Sequence, residues 1–232
     1  MPRATLPHIL ITAGPTVEDL DPVRFISNRA TGKLGVATAR AALRRGAQVT
    51  LIHGPIVHEV LSKLPRSRRL TRVSVRSAAE MHQAVMRAVR SADVVIMNAA
   101  VADFTPAKVL TTKLKKADAG LVIRLKPTVD ILKELGTYKR RQPALKLIGF
   151  ALESGSGRTA RQRRAAQLSE AQRKLESKNA DAIVLDTPHA MGAEQAHFTL
   201  LRRTGEVRDV ELHKEAFADE LIKLAVELYQ GG

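Results

Sequence analysis

The sequence predicts an α/β protein: a Rossmann-like, mainly parallel sheet with helices on both faces and a C-terminal antiparallel hairpin. Three observations predict it. Short apolar runs of strand character alternate with longer runs at helical spacing, the pattern of a mainly parallel sheet covered on both sides. Near the C-terminus, His197 to Leu201 and Val207 to Leu212 flank Arg-Arg-Thr-Gly-Glu, a hairpin signal. Finally, the stretch Ile9 to Gly35 is an apolar run that stops at Gly14-Pro15, then a polar loop with Arg24, Ser27, Asn28 and Arg29, then Thr31-Gly32-Lys33 and a helical pattern. Strand, loop and helix N-terminus in that order make an anion cradle, because free amides and the positive end of the helix dipole face one point.

Taken in order, His8 to Ala13 reads as a buried strand. Gly32 to Arg45 reads as a helix with Leu34, Ala37, Ala41 and Ala42 on one face, closed by Arg-Arg-Gly. Gln48 to His53 is the second strand, Val57 to Leu64 a short helix, and Leu70 to Val75 the third strand. Ala78 to Arg90 keeps Met81, Val85, Met86 and Val89 at helical spacing, and Asp93 to Asn98 is a strongly apolar fourth strand. Val101 to Gly120 is polar and carries a lysine cluster. Leu121 to Leu125 reads as a strand and Val129 to Tyr138 as a helix. Lys146 to Ala151 is a buried strand, Arg158 to Lys178 a long basic helix, and Ala182 to Leu185 a further strand. After the hairpin, Lys214 to Tyr229 is an amphipathic helix.

Composition narrows the functions available. The 232 residues fit a single domain, residues 1–232, and 44% hydrophobic content suffices for a sizeable core. The absence of cysteine excludes disulfide scaffolds, thiolate metal sites and thiol nucleophiles, and fits a cytoplasmic protein. No apolar run approaches the ~20 residues that span a bilayer, and the N-terminus shows no signal-peptide core, so no membrane partner is expected. The net charge of +15 has three readings: nucleic-acid binding, a site for polyanionic small ligands, or arginine bias on solvated faces. The basic residues are dispersed and aromatics are only 3%, so stacking platforms are scarce and a nucleic-acid partner is not expected.

Ligands of open α/β sheets sit outside the carboxyl ends of the strands, and this rule selects the candidate residues. Gly14 and the Asn28 loop follow the first strand, Asn98-Ala-Ala-Val-Ala-Asp103-Phe104 the fourth, and Gly149-Phe-Ala-Leu-Glu153 a later one. Ala99, Ala100 and Ala102 would let a planar base or a sugar approach the backbone; the alternative is plain tight packing. Lys113-Leu-Lys-Lys116 is either a flap that closes on a triphosphate or a solvated charge run. Lys174 and Lys178 share a helix face, aimed at one ligand or at solvent. Asp103 is a candidate for a Mg²⁺ or sugar contact, or an ordinary turn aspartate. No Walker-A, His-Glu-x-x-His or Gly-x-Ser-x-Gly sequence occurs, and the histidines show no metal-ligand spacing.

Gly14-Pro-Thr, Asp21-Pro-Val-Arg-Phe-Ile-Ser-Asn-Arg29, Gly32-Lys33, Ala99-Ala-Val-Ala-Asp-Phe104, Lys113-Leu-Lys-Lys116, Asp130-Ile-Leu and Gly149-Phe-Ala151 follow one another in the order of a known family. In these residues the chain resembles phosphopantothenoylcysteine synthetase (phosphopantothenate–cysteine ligase), from about Ile9 to Leu228, in a form that looks stand-alone and without a flavin. The resemblance implies an enzyme of coenzyme A biosynthesis. Its partners would be the small molecules 4′-phosphopantothenate, cysteine and a nucleoside triphosphate, CTP or else ATP, with Mg²⁺. The carboxylate attacks the α-phosphate, pyrophosphate leaves, and the cysteine amine attacks the resulting acyl-nucleotidylate. Carried over residue by residue, Asn28 holds the reacting acyl group and Lys113 moves in with the flap. Ala99, Ala100, Asp103, Phe150, Lys174 and Lys178 hold the nucleotide. Gly14, on the nucleotide side, and Arg24, on the substrate side, are phosphate or loop contacts. A homodimer is implied too, with Leu121 to Lys126 as the arm that reaches the partner. The chain departs from the family pattern at Ala30-Thr31, at Asp186, where the family has asparagine, and around Glu194-Gln-Ala196.

Two other classes compete. An NADP-dependent Rossmann-type oxidoreductase predicts a close glycine fingerprint and a Tyr-x-x-x-Lys pair, and neither Tyr138 nor Tyr229 has that lysine. A non-catalytic nucleic-acid-binding protein predicts a clustered basic patch and stacking aromatics.

Overall fold

The computed structural model describes residues 6–115, 121–153, 156–186 and 195–231. Lys116 and Glu194, singled out above, lie outside them. Eight strands form the main sheet: β1 (His8–Ala13), β4 (Gln48–His53), β5 (Leu70–Ser74), β6 (Val94–Met97), β9 (Lys146–Leu152), β10 (Ala182–Asp186), β11 (Gln195–Arg202) and β12 (Val207–His213). Their order is β12-β11-β10-β9-β6-β1-β4-β5. Pairing is parallel from β5 through β10 and antiparallel for the terminal β11 and β12. The mainly parallel sheet with a C-terminal hairpin is therefore present.

Side chains alternate across the sheet and so separate two core layers. Ile9, Ile11, Leu51 and Ile96 pack with α1 (Lys33–Arg44) and α6 (Lys214–Tyr229) on one face. Leu10, Ile52, Val95 and Leu147 pack with α3 (Ala78–Ala88), α4 (Ile131–Lys139) and α5 (Ala160–Ser177) on the other. Alanines at 37, 39, 41 and 42 let α1 lie close to the strands beneath it. Phe198 on β11 stacks on Phe217 of α6 with ring centroids 3.8 Å apart, which anchors the antiparallel end of the sheet. Several helix starts are fixed by side chains that accept orphan amides: Ser77 from Glu80 N, Asp130 from Lys133 N, and Thr159 in a capping box with Gln162.

Two features differ from expectation. The stretch after β1 is not a plain loop, since β2 (Val17–Asp19) and β3 (Phe25–Ser27) pair within it as a hairpin. The strand expected at Leu121 to Leu125 lies instead at β8 (Leu125–Pro127), paired with β7 (Phe104–Pro106). The apolar run Leu121-Val-Ile123 suggested a strand, but it precedes β8 and its side chains are exposed, Val122 to 89%. The short helix after β4 is a single turn, α2 (His58–Leu61), and the helix over 78–90 gives way to a 3₁₀ turn from Val89.

Candidate functional site

A cavity of about 720 Å³ opens at the C-terminal ends of β1, β6, β9 and β10. Its floor is the segment after β6. Buried Thr12 and Thr16 accept the amides of Ala99 and Ala102 at 3.0 and 2.9 Å. Ala100 is clamped from three directions: its N–H donates to the Gly14 carbonyl (3.0 Å), and its carbonyl accepts from Thr16 N (3.2 Å) and Asn28 Nδ2 (2.9 Å). Thr128 Oγ1 donates to the Ala102 carbonyl (2.5 Å), and Thr128 N donates to that of Asp103 (2.9 Å). The polypeptide from 99 to 103 is thus fixed on both sides, with alanines toward the cavity.

The N-terminus of α1 faces this floor. Gly32 precedes the helix at φ 75°, a left-handed value glycine takes without strain; it has no side chain to cap the helix, and Thr31 Oγ1 accepts the Lys33 amide at 3.5 Å. No acidic residue lies in its first turn, so the positive end of the dipole is uncompensated there. Gly35 makes this approach possible: a Cβ there would sit 2.4 Å from the Ala13 Cβ and 3.0 Å from Asn98 Oδ1.

The opposite wall is cationic. Lys174 and Lys178, at the end of α5, both line the cavity beside Phe150. Each ammonium is held by a carboxylate: Lys174 by Glu153 (2.6 Å), Lys178 by Asp130. Asp130 also caps α4. Partial burial pushes its carboxyl up, but Lys178 and the Lys133 amide outweigh that and hold it below the ordinary range.

Eight of the ten residues singled out by sequence converge here: Gly14, Asn28, Ala99, Ala100, Asp103, Phe150, Lys174 and Lys178 all line the cavity. Arg24 and Lys113 do not. The Arg24 guanidinium donates to Asp21 (2.7 Å) and to the Leu114 carbonyl (2.7 Å), and Leu114 N donates back to Asp21 (3.1 Å). Arg24 therefore fastens the loop that carries exposed Lys113. Burial pushes the Asp21 carboxyl up, but the amides of Leu114, Val23 and Arg24, with the Arg24 side chain, hold it well below the usual carboxylate range. Sequence reasoning gave no role to Asp130, Lys33 or Lys214, which also line the cavity. The helix-cap pattern Asp130-Ile-Leu was the available signal for Asp130; Lys214 had none. No three His, Asp or Glu side chains converge among the described residues. Asp103, Asp130 and Asp186 are carboxylates on the cavity lining, and a magnesium ion there would be carried largely by the phosphate oxygens of a ligand.

An open parallel sheet with an amide-rich helix start and paired lysines at its carboxyl rim defines a Rossmann-like α/β protein whose rim offers donors and cations suited to anions. The chain belongs to the family described as the DNA/pantothenate metabolism flavoprotein C-terminal domain, which matches residues 5–228. It is 45% identical over 187 residues to the coenzyme A biosynthesis bifunctional protein CoaBC of Bacillus subtilis (strain 168), covering 80% of this chain and 41% of that protein. A cysteine/cysteine sulfinic acid decarboxylase from an unknown prokaryotic organism is 39% identical over 223 residues, covering 94% of this chain and 57% of that protein. The chain thus spans about half, or less, of the length of these curated relatives. The crystal structure of the C-terminal domain of CoaBC has a TM-score of 0.75 and 37% identity, covering 97% of this chain and 96% of that one. Among the described residues, no helix is long and apolar enough to cross a membrane.

Proposed function

We propose that this chain is a phosphopantothenate–cysteine ligase that works through an acyl-nucleotidylate in the cytoplasm, its residues acting as a single catalytic domain. One observation carries the reading. The cavity joins an amide-rich helix start and Asn28 on one wall to two tethered lysines on the other, in a chain of the CoaBC C-terminal type. The geometry suits two anionic ligands meeting end to end.

The nucleoside triphosphate, CTP by preference, lies along Ala99, Ala100 and Phe150, with its phosphates toward Lys174, Lys178 and the start of α1. Magnesium supplies charge neutralisation among the phosphate oxygens, with Asp103 as its protein contact. The carboxylate of 4′-phosphopantothenate attacks the α-phosphorus and pyrophosphate leaves. The cysteine amine then attacks the acyl carbon, the C–N bond forms as the C–O bond to the nucleotide breaks, and the nucleoside monophosphate departs. The protein supplies no nucleophile; it aligns the reactants and stabilises charge as it develops. Asn28, oriented by the Ala100 carbonyl, hydrogen-bonds the acyl group in both steps. Lys113 closes over the site with its loop to meet the charge of the leaving pyrophosphate, and Arg24 positions that loop through Leu114.

A homodimer completes the reading. Phe25, Phe104, Val122 and Leu125 are large apolar side chains exposed on or beside the two small hairpins, and a second copy of the chain would cover them. The test combines the protein with 4′-phosphopantothenate, cysteine, Mg²⁺ and CTP or ATP, and measures pyrophosphate. Release that needs 4′-phosphopantothenate is the expected result; no release with either nucleotide overturns the assignment. Light scattering tests the dimer.

A further inference from the structure

The rim opposite the cavity, where the parallel strands begin, is also basic, and the proposed reaction makes no use of it. Six arginines approach it from segments far apart in sequence: Arg45 before β4, Arg68 and Arg69 before β5, Arg90 before β6, and Arg140 and Arg141 after α4. Contacts of neighbouring residues place the segments that carry them along one edge. Val49 N donates to the Arg69 carbonyl (2.8 Å), and a Cβ on Gly46 would sit 3.3 Å from Leu6. His8 Nδ1 lies 2.6 Å from the Ser91 carbonyl, and Lys146 N donates to the Asp93 carbonyl (3.0 Å). Lys139, just before Arg140, binds Asp181 at the start of β10 (2.5 Å). With strands about 4.8 Å apart, β5 to β9 spans about 19 Å.

All six are exposed, and none forms an ion pair among the described residues. The nearby carboxylates are committed elsewhere. Asp93 accepts His8 N (2.8 Å), and Asp181 accepts Leu147 N (2.7 Å) and Lys139. The edge therefore carries uncompensated positive charge. Between β5 and β9, Leu6 is the large exposed apolar side chain among the described residues; Phe25 and Phe104 lie on the small hairpins. A protein partner needs apolar anchors at the centre of its footprint, and base recognition in single strands needs aromatic platforms. A row of guanidinium forks with neither suits phosphate oxygens alone.

We propose that this rim binds the phosphate backbone of double-stranded nucleic acid without reading its sequence. The arginines are dispersed along the chain, and the parallel topology gathers them by returning each connection to the same edge. The test titrates a fluorescein-labelled 20-base-pair duplex of arbitrary sequence with the full chain and follows anisotropy. Six phosphate contacts predict affinity that falls about a thousandfold between 50 and 200 mM salt. Arg68→Glu with Arg69→Glu should weaken binding more than tenfold and lower the salt slope by about two, at unchanged pyrophosphate release. Arg140→Glu with Arg141→Glu, on a separate element, should do the same, so misfolding of one variant leaves the other to decide. No binding at 50 mM salt overturns the proposal, as do variants that bind like wild type. Displacement of the duplex by CTP would place it in the cavity and also overturns it. Binding of poly-L-glutamate with none of the duplex would point to an acidic protein and overturns it too.

Discussion

The two rims of the sheet carry charge of the same sign in different states. At the cavity rim, Lys174 and Lys178 are each held by a carboxylate and stand over a floor fixed by hydrogen bonds. At the opposite rim, the arginines are exposed and unpaired among the described residues. Tethered cations keep one geometry and offer a defined seat to a small ligand. Free cations adapt to any phosphate array but are screened within a Debye length of about 8 Å at physiological salt. Positive charge alone therefore does not separate a catalytic site from a docking edge. The partner of each cation does.

The sharpest way to break this comparison is Asn28→Asp. A carboxylate there cannot donate to the Ala100 carbonyl or to an acyl phosphate, and turnover should fall about 10²- to 10³-fold, the usual cost of one aligned donor. Duplex binding at the other rim should not change. Steady-state kinetics that match wild type would remove Asn28 from the mechanism. Gly35→Ala comes next. Its added methyl meets Ala13 and Asn98, and overpacking of this kind costs about 1–3 kcal/mol. Thermal unfolding should show it as a lower Tm, and an unchanged Tm would mean that α1 can shift freely from the strand. Lys113→Gln should lower kcat about tenfold with a smaller change in nucleotide KM; the reverse pattern would make it a simple binding lysine.

The smallest effect concerns pH. The folded Asp21 carboxyl titrates below its unfolded value of about 3.9. Its clasp on Leu114 is fully in place above about pH 4 and weakens as pH falls through the folded value. Hydrogen exchange at the Leu114 amide should therefore be faster in Asp21→Asn than in wild type at pH 6, and the difference should shrink below about pH 4. A constant difference would show that the carboxylate is not what holds the loop.

How much of this was legible in the sequence depended on local pattern. β1, β4 and α6 fall where their apolar periodicity places them because both strands are buried on both faces and the helix packs one apolar face on the sheet. The hairpins did not show, because β2, β3, β7 and β8 are three residues each and Phe104 finds Pro127 across a long separation. Ala99, Ala100, Asp103 and Phe150 were legible through the rule that ligands sit at strand ends. Arg24 was legible only as a phosphate or a loop contact; the choice of the loop is set by Asp21 and by Leu114, which lies ninety residues away. The arginine edge was invisible for the same reason: only strand order makes Arg69 and Arg141 share a rim.

The glycines at the cavity mouth have a further consequence. A Cβ at Gly14 or Gly32 would collide with the Ile56 side chain at 2.6 or 2.3 Å, and one at Gly54 would lie 1.6 Å from the Pro15 carbonyl. Three connections are thereby interlocked like the stones of an arch, and none can be remodelled without the others. The wall around Phe150 and Lys178 is locked in the same way: a Cβ at Gly136 would lie 1.9 Å from the Lys178 carbonyl, and one at Gly149 would lie 2.5 Å from the Leu132 side chain. Drift over a lineage should therefore accumulate on the exposed loop that carries Lys113, while both glycine-locked walls stay frozen.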